Sequence, residues 1–218
     1  MISIFYRSLL IASLFGCNCA IAIEIANSDK ASKFLAKISD RIPTDINTGL
    51  VKYFVYSDSV GEHVLFVRKI TSQSKIKFHE NEKSRHEIDV KNFLIMSNGT
   101  LQLEWSIIDT NDCPGLDSDA DYFLDKISIT DVDGDGKAEA TIPYYMFCGG
   151  GIDPNVIKII MRTGPQKFAI RGESKVVYSG QEPFGGNFKL DRNLNDSKNS
   201  KFKKHILSVW ESVYIDKR

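Results

Sequence analysis

The sequence predicts an α+β fold in one domain, an antiparallel β meander with an N-terminal and a C-terminal helix. Three observations carry that expectation. Apolar residues recur with a helical period near both ends of the exported chain and with a period of two between them. Turn signals such as Asn98-Gly99 and Gly164-Pro165 divide the alternating stretches. No repeat or linker separates two cores, and residues 23–218 suffice for one domain that buries roughly 70% of its unfolded surface.

The elements follow in order. Ser28 can cap a helix from Asp29 to about Ile42, with Phe34, Leu35, Ile38 and Ile42 on one face and Pro43 beyond its end. LVKYFVYSD and HVLFVRKI flank Ser59-Val60-Gly61-Glu62 and read as a hairpin. HENEKSRHE, His79 to Glu87, reads as a charged connection. FLIMS and LQLEWSII flank Asn98-Gly99, a strong two-residue hairpin signal. Asn98-Gly99-Thr100 is also a glycosylation sequon, which the turn explains without help. AEATIPYYMF, VIKIIMR and KFAIRGES give three more strands, the last two joined through Thr163-Gly164-Pro165-Gln166. Gly180 to Ser200 is rich in Gly, Asn, Asp and Ser and is expected to be loose. KFKKHILSVWESVYIDK closes the chain as a helix with Phe202, Ile206, Val209, Trp210 and Val213 on its buried side.

Residues 1–22 stand apart from this fold. Arg7, the apolar run SLLIASLFG and the small-x-small Ala20-Ile21-Ala22 form a secretory signal peptide, with cleavage after Ala22 and a periplasmic or secreted product. The alternative is a lipoprotein anchored at Cys17, because Leu14-Phe15-Gly16-Cys17 approximates a lipobox. No later segment reaches the roughly 18 apolar residues of a membrane span. The full chain balances 28 Lys and Arg against 28 Asp and Glu, with 42% hydrophobic and 26% charged residues. That is ordinary globular composition and gives no sign of a nucleic-acid binder.

After cleavage at Ala22, only Cys113 and Cys148 remain. Two thiols in an oxidising compartment are expected to pair, and the bridge would contribute about 4 kcal/mol by the chain-entropy relation. Two free thiols are the competing reading.

The loop closed by that bridge contains ITDVDGDGKAEA, Ile129 to Ala140. Asp131, Asp133 and Asp135 alternate, Gly136 supplies a sharp bend, the Lys137 carbonyl follows and Glu139 reaches in last. Calcium takes about six to eight oxygens at about 2.3–2.6 Å from a loop that curls around it, and this spacing matches that demand. Ile142 stands where an EF-hand has its bidentate Glu, and a β-rich stretch follows instead of a helix. The expected site is therefore EF-hand-like and weaker, with a dissociation constant on the order of 10⁻⁵ to 10⁻³ M and a structural role. The alternative is a tight Asp/Gly turn with solvated carboxylates.

Two further constellations offer chemistry. DTNDCPGLDSDAD, Asp109 to Asp121, could supply a paired-carboxylate site of the glycosidase type at Asp117 and Asp119, or could be an exposed acidic loop. If residue 162 pairs with 167, then Lys158, Arg162, Lys167 and Arg171 share one face. Opposed like charges favour an anion, such as an acidic glycan or the carboxylates of another envelope protein, or else point into water. His63, His79, His86 and His205 show no zinc-ligand spacing, and no nucleophile motif or phosphate cradle is present.

TDVDGDGKAEA, then Tyr145 and Cys148, GIDPNVIKIIM, QKFAIRGES and GGNFKLD together resemble a family of exported bacterial proteins labelled surface polysaccharide biosynthesis proteins. WSIIDTNDC and LSVWESV are similar as well, so the resemblance spans residues 101–215. Gly-Ile-Asp-Pro replaces the Asp-Val-Ser-Pro of the family's turn. The resemblance implies a role in making or displaying a surface polysaccharide, and transfers no catalytic residue. The function expected is a non-catalytic envelope protein; the alternatives are a periplasmic inhibitor or immunity protein that binds a toxin, and a glycan-cleaving hydrolase.

Overall fold

A computed structural model describes residues 24–25, 28–73, 84–113 and 116–218. The signal peptide, its cleavage after Ala22, the Cys17 anchor and His79 lie outside the described residues. Among the described residues, no helix is long and apolar enough to cross a membrane.

The first sheet is a five-stranded antiparallel meander of β1 (Glu24–Ile25), β2 (Leu50–Ser57), β3 (Glu62–Gln73), β4 (Ser84–Ile95) and β5 (Leu101–Asp112). A short helix, α1 (Ser28–Ile38), lies between β1 and β2; it ends at Ile38 rather than Ile42, and a 3-10 turn over Ser39–Arg41 follows. The charged stretch expected as a connection already belongs to β4 from Ser84 onward, where Glu87 opposes Ile70 and Thr110.

After β5 the chain leaves this sheet. β6 (Asp117–Tyr122) and β7 (Ser128–Thr130) both pair with β8 (Glu139–Gly149), which continues into β9 (Val156–Thr163) and β10 (Gln166–Glu173). A small group follows: β11 (Lys175–Val177), β12 (Phe184–Gly185) and β13 (Phe188–Leu190), the last adding to the free edge of β10. Helix α2 (Ser200–Val213) and β14 (Ile215–Lys217) end the chain.

The antiparallel β architecture and the closing helix agree with the sequence pattern. The single meander does not: its strands divide into two large sheets that pack face to face, and β12, β11 and β14 form a third, small one. The reason lies in strands that are apolar on both sides, which one sheet cannot cover. In β3, Leu65 and Val67 face the second sheet while Val64 and Phe66 face the N-terminal segment with Ile38 and Ile46. In β9, Ile160 faces the first sheet, while Ile157, Ile159 and Met161 pack beneath α2 against Phe202, Ile206 and Trp210. The layers are therefore N-terminal segment, first sheet, second sheet and α2.

Two boundaries also shift. The closing helix stops at Val213, and Ile215–Lys217 runs parallel to β11 as β14. Gly180 to Ser200 is not loose: it carries β12 and β13, two 3-10 turns and Leu194, which is buried among the α2 contacts.

Candidate metal centre

The aspartate loop enters from β7 and leaves into β8, so both ends are fixed by sheet pairing. Asp131 organises it. Its Oδ1 accepts from the N–H groups of Gly134 and Asp135 at 2.7 and 3.1 Å, and its Oδ2 from Gly136 at 2.9 Å. Gly134 and Gly136 both hold φ at 85°, in the left-handed region that glycine enters without strain, and the chain curls there.

The curl brings one carboxylate oxygen each from Asp131, Asp133 and Glu139 within 4.8 Å of one another. Glu139 is 0% exposed. Its Oε2 accepts from the Val132 N–H at 2.7 Å, while no hydrogen bond of regular geometry reaches Oε1. Burial pushes the Glu139 carboxyl up to about 7, and the charges of Asp133 and Asp135 add to the rise against the Val132 N–H and the neighbouring Thr163 hydroxyl. A buried carboxylate facing two others is a costly arrangement unless a cation neutralises it. The donor set is oxygen only, which suits a hard divalent cation such as calcium and not a thiolate- or imidazole-loving metal.

Asp135 stands outside this trio: its Oδ1 accepts from the Lys137 N–H at 2.8 Å, and Lys137 Nζ lies 3.8 Å from its other oxygen. The loop is braced from outside by residues that sequence spacing does not reveal. The Asp58 Oδ2 accepts from the Ala138 N–H at 3.0 Å, and the Ser59 N–H donates to the Gly136 carbonyl at 2.8 Å. Lys201 of α2 donates to the Asp133 carbonyl. The β2–β3 hairpin and α2 thus grip the loop from both sides, although Asp58 and Ala138 are separated by 80 residues.

Asp58 is itself part of a buried polar chain. His63 places Nε2 3.0 Å from Asp58 Oδ1 and Nδ1 3.0 Å from Glu104 Oε2, and its ring stacks on Tyr56 at 4.7 Å. Burial works to lower the imidazole, but Glu104 and Asp58 outweigh it and hold His63 above its ordinary 6.5. Both ring nitrogens then donate, and the cation is matched by carboxylates on each side. A raised imidazole contributes stability that is fully present below the unfolded value of 6.5 and is lost as pH rises through the folded one. Melting temperature should therefore fall more steeply above pH 6.5 in the wild type than in His63→Gln, compared in one calcium-containing buffer series. Parallel slopes for the two proteins would remove His63 from the pH dependence.

The disulfide forms between Cys113 and Cys148, with Cα atoms 5.6 Å apart. It fastens the end of β5 to β8 where the chain crosses between sheets. The basic ladder has the predicted register, Arg162 opposite Lys167 and Lys158 opposite Arg171. Its face turns toward the first sheet, alongside Ile160 and Ala169 of the central core. Lys158 pairs with Asp109, Arg162 lies 5.5 Å over the Trp105 ring, and Arg171 pairs with Asp191. Lys167 is exposed.

The acidic stretch around Asp117 and Asp119 is strand, not loop. Asp119 accepts from Tyr145 Oη at 2.9 Å and lies 3.3 Å from Lys69 Nζ, which also holds Asp121 at 3.0 Å. Burial alone would raise Asp119, yet the Tyr145 hydroxyl and Lys69 hold it below its ordinary range, the opposite of what a general acid needs. His205 reaches Thr141 Oγ1 at 3.0 Å under α2, and burial lowers its basicity. Comparison with family models, curated proteins and solved structures finds no match for this chain.

Proposed function

We propose that this chain is an exported, non-catalytic envelope protein whose aspartate loop holds a structural calcium ion, and that it serves the making or display of a surface polysaccharide. The observation that carries the calcium reading is the Glu139 carboxylate, buried against Asp131 and Asp133 with one oxygen that no hydrogen bond of regular geometry reaches. Asp131, Asp133 and Glu139 would hold the ion through carboxylate oxygens, and Asp135 or the Lys137 carbonyl would join by a modest turn of the loop. The ion would supply positive charge and rigidity where the β2–β3 hairpin, β8 and α2 converge.

The polysaccharide role is supported by the ordered resemblance over residues 101–215, and the exported location by the pattern of residues 1–22. The deciding experiment is a gel profile of surface glycans. It compares a deletion strain with strains carrying the wild type or an Asp131→Ala, Asp133→Ala double variant at matched protein level. An altered profile restored by the wild type alone is expected. Restoration by both proteins would make the ion a dispensable brace. An unaltered profile would overturn the polysaccharide role and direct attention to a protein partner, such as a toxin.

A further inference from the structure

One member of the carboxylate trio stands on the wall of a cleft. Asp133, which belongs to the trio, lines a cavity of about 480 Å³ together with Asp135 and Lys137. The opposite walls are the β9–β10 turn, the 3-10 turn that carries Lys198, and the first turn of α2 with Phe202. The volume falls within the roughly 300–1,000 Å³ of small-molecule sites.

The chemistry of the cleft depends on whether a cation sits in the loop. Without one, Asp133 and Asp135 make this wall acidic. With one, the trio's charge is largely taken up. Three carboxylates giving one oxygen each, joined by Asp135 or the Lys137 carbonyl, leave about two to four positions of a calcium shell for ligand or water. Glu139 is buried and Asp133 lies on the cleft wall, so Asp133 is the member of the trio through which a ligand in the cavity would reach the ion.

Positive groups border the same space. The Lys137 and Lys198 side chains are 54% and 75% exposed; their pairs with Asp135 at 3.8 Å and Asp196 at 3.3 Å are solvent-facing and weak. Helix α2 begins beside them, running on from a 3-10 turn over Ser197–Asn199 whose Ser197 carbonyl accepts the Ser200 N–H. The Thr163 hydroxyl and Gln166 amide offer hydrogen bonds to hydroxyl groups, and Pro165 and Phe202 offer apolar surface for a ring.

We infer that this cleft binds a carboxylate-bearing saccharide through the loop's calcium ion. The sugar acid completes the ion's shell beside Lys198 and Lys137, its hydroxyls meet Thr163 and Gln166, and its ring rests on Pro165 and Phe202. The inference rests on the calcium reading proposed above and adds to it the ligand class and the place where that ligand sits.

Calorimetric titration tests the two separately. Calcium is first titrated into chelator-stripped protein, then digalacturonate into calcium-loaded protein, into protein held in EDTA, and into calcium-loaded Lys198→Glu. The neutral disaccharide of the same size is the control. The expected result is digalacturonate binding that needs calcium, is absent for the neutral sugar, and weakens at least roughly tenfold in Lys198→Glu, the scale of one charge-assisted contact. Calcium binding with no digalacturonate binding overturns the cleft and leaves the ion loop standing. Equal binding in EDTA, or equal binding by Lys198→Glu, also overturns it. No calcium binding at all removes the ion loop and the cleft together.

Discussion

Calcium at about 100-fold over its dissociation constant raises the melting temperature by roughly 5–10 °C, and EDTA reverses the gain. The magnitude follows from linkage: a ligand that binds only the folded state adds about 2.7 kcal/mol at that excess, and a chain of this size shifts by about 2–4 °C per kcal/mol. Asp131→Ala is expected to abolish the response. It also removes the acceptor for the Gly134, Asp135 and Gly136 N–H groups, so it destabilises the loop without calcium as well. Glu139→Gln separates charge from architecture. The amide keeps the volume of the buried side chain but removes the charge that faces Asp131 and Asp133. This variant should melt above the wild type in EDTA and below it in calcium. That crossing is what a cation site requires. A Glu139→Gln protein that melts lower than the wild type in both buffers would mark Glu139 as an ordinary structural acceptor for the Val132 N–H and would sink the metal centre.

The curl of this loop was legible in the sequence, and its setting was not. Alternating aspartates with a glycine at the bend encode the curl directly, because Asp131 satisfies backbone groups within five residues of itself. The hairpins were legible for the same reason, since Asn98-Gly99 and Gly164-Pro165 act on their immediate neighbours. What the pattern left open is which strand lies over which. VIKIIM reads as one apolar run, and only the structure assigns Ile159 to the helix side and Ile160 to the sheet side. The charged ladder shows the consequence: its register follows from local pairing, but its partners, Asp109 and Trp105, come from β5 in the other sheet. The bracing of the loop by Asp58 is a contact of the same long-range kind. Such contacts follow from the stacking of two sheets, which local periodicity does not specify.

Removing the disulfide is the second large effect. Cys113 and Cys148 are separated by 35 positions, and opening that loop costs about 4 kcal/mol in the chain-entropy relation, or roughly 8–16 °C in melting temperature. The Cys113→Ala, Cys148→Ala protein and the reduced wild type should agree within that range. More informative is the combination with calcium removal. The ion loop sits where β8 begins at Glu139, and the disulfide where it ends near Gly149. A strand of that length separates them by roughly 30 Å, far beyond the distance over which perturbations couple. Their mechanisms also differ: the bridge restricts the unfolded chain, and the ion binds only the folded one. The two losses should therefore add to within about 0.5 kcal/mol when the reduced protein is melted with and without EDTA. If the calcium response instead vanishes on reduction, the two ends of β8 are not independent fastenings. The loop would then be held open or shut by the crossing at Cys113, and the two-sheet stack would close as a single cooperative joint.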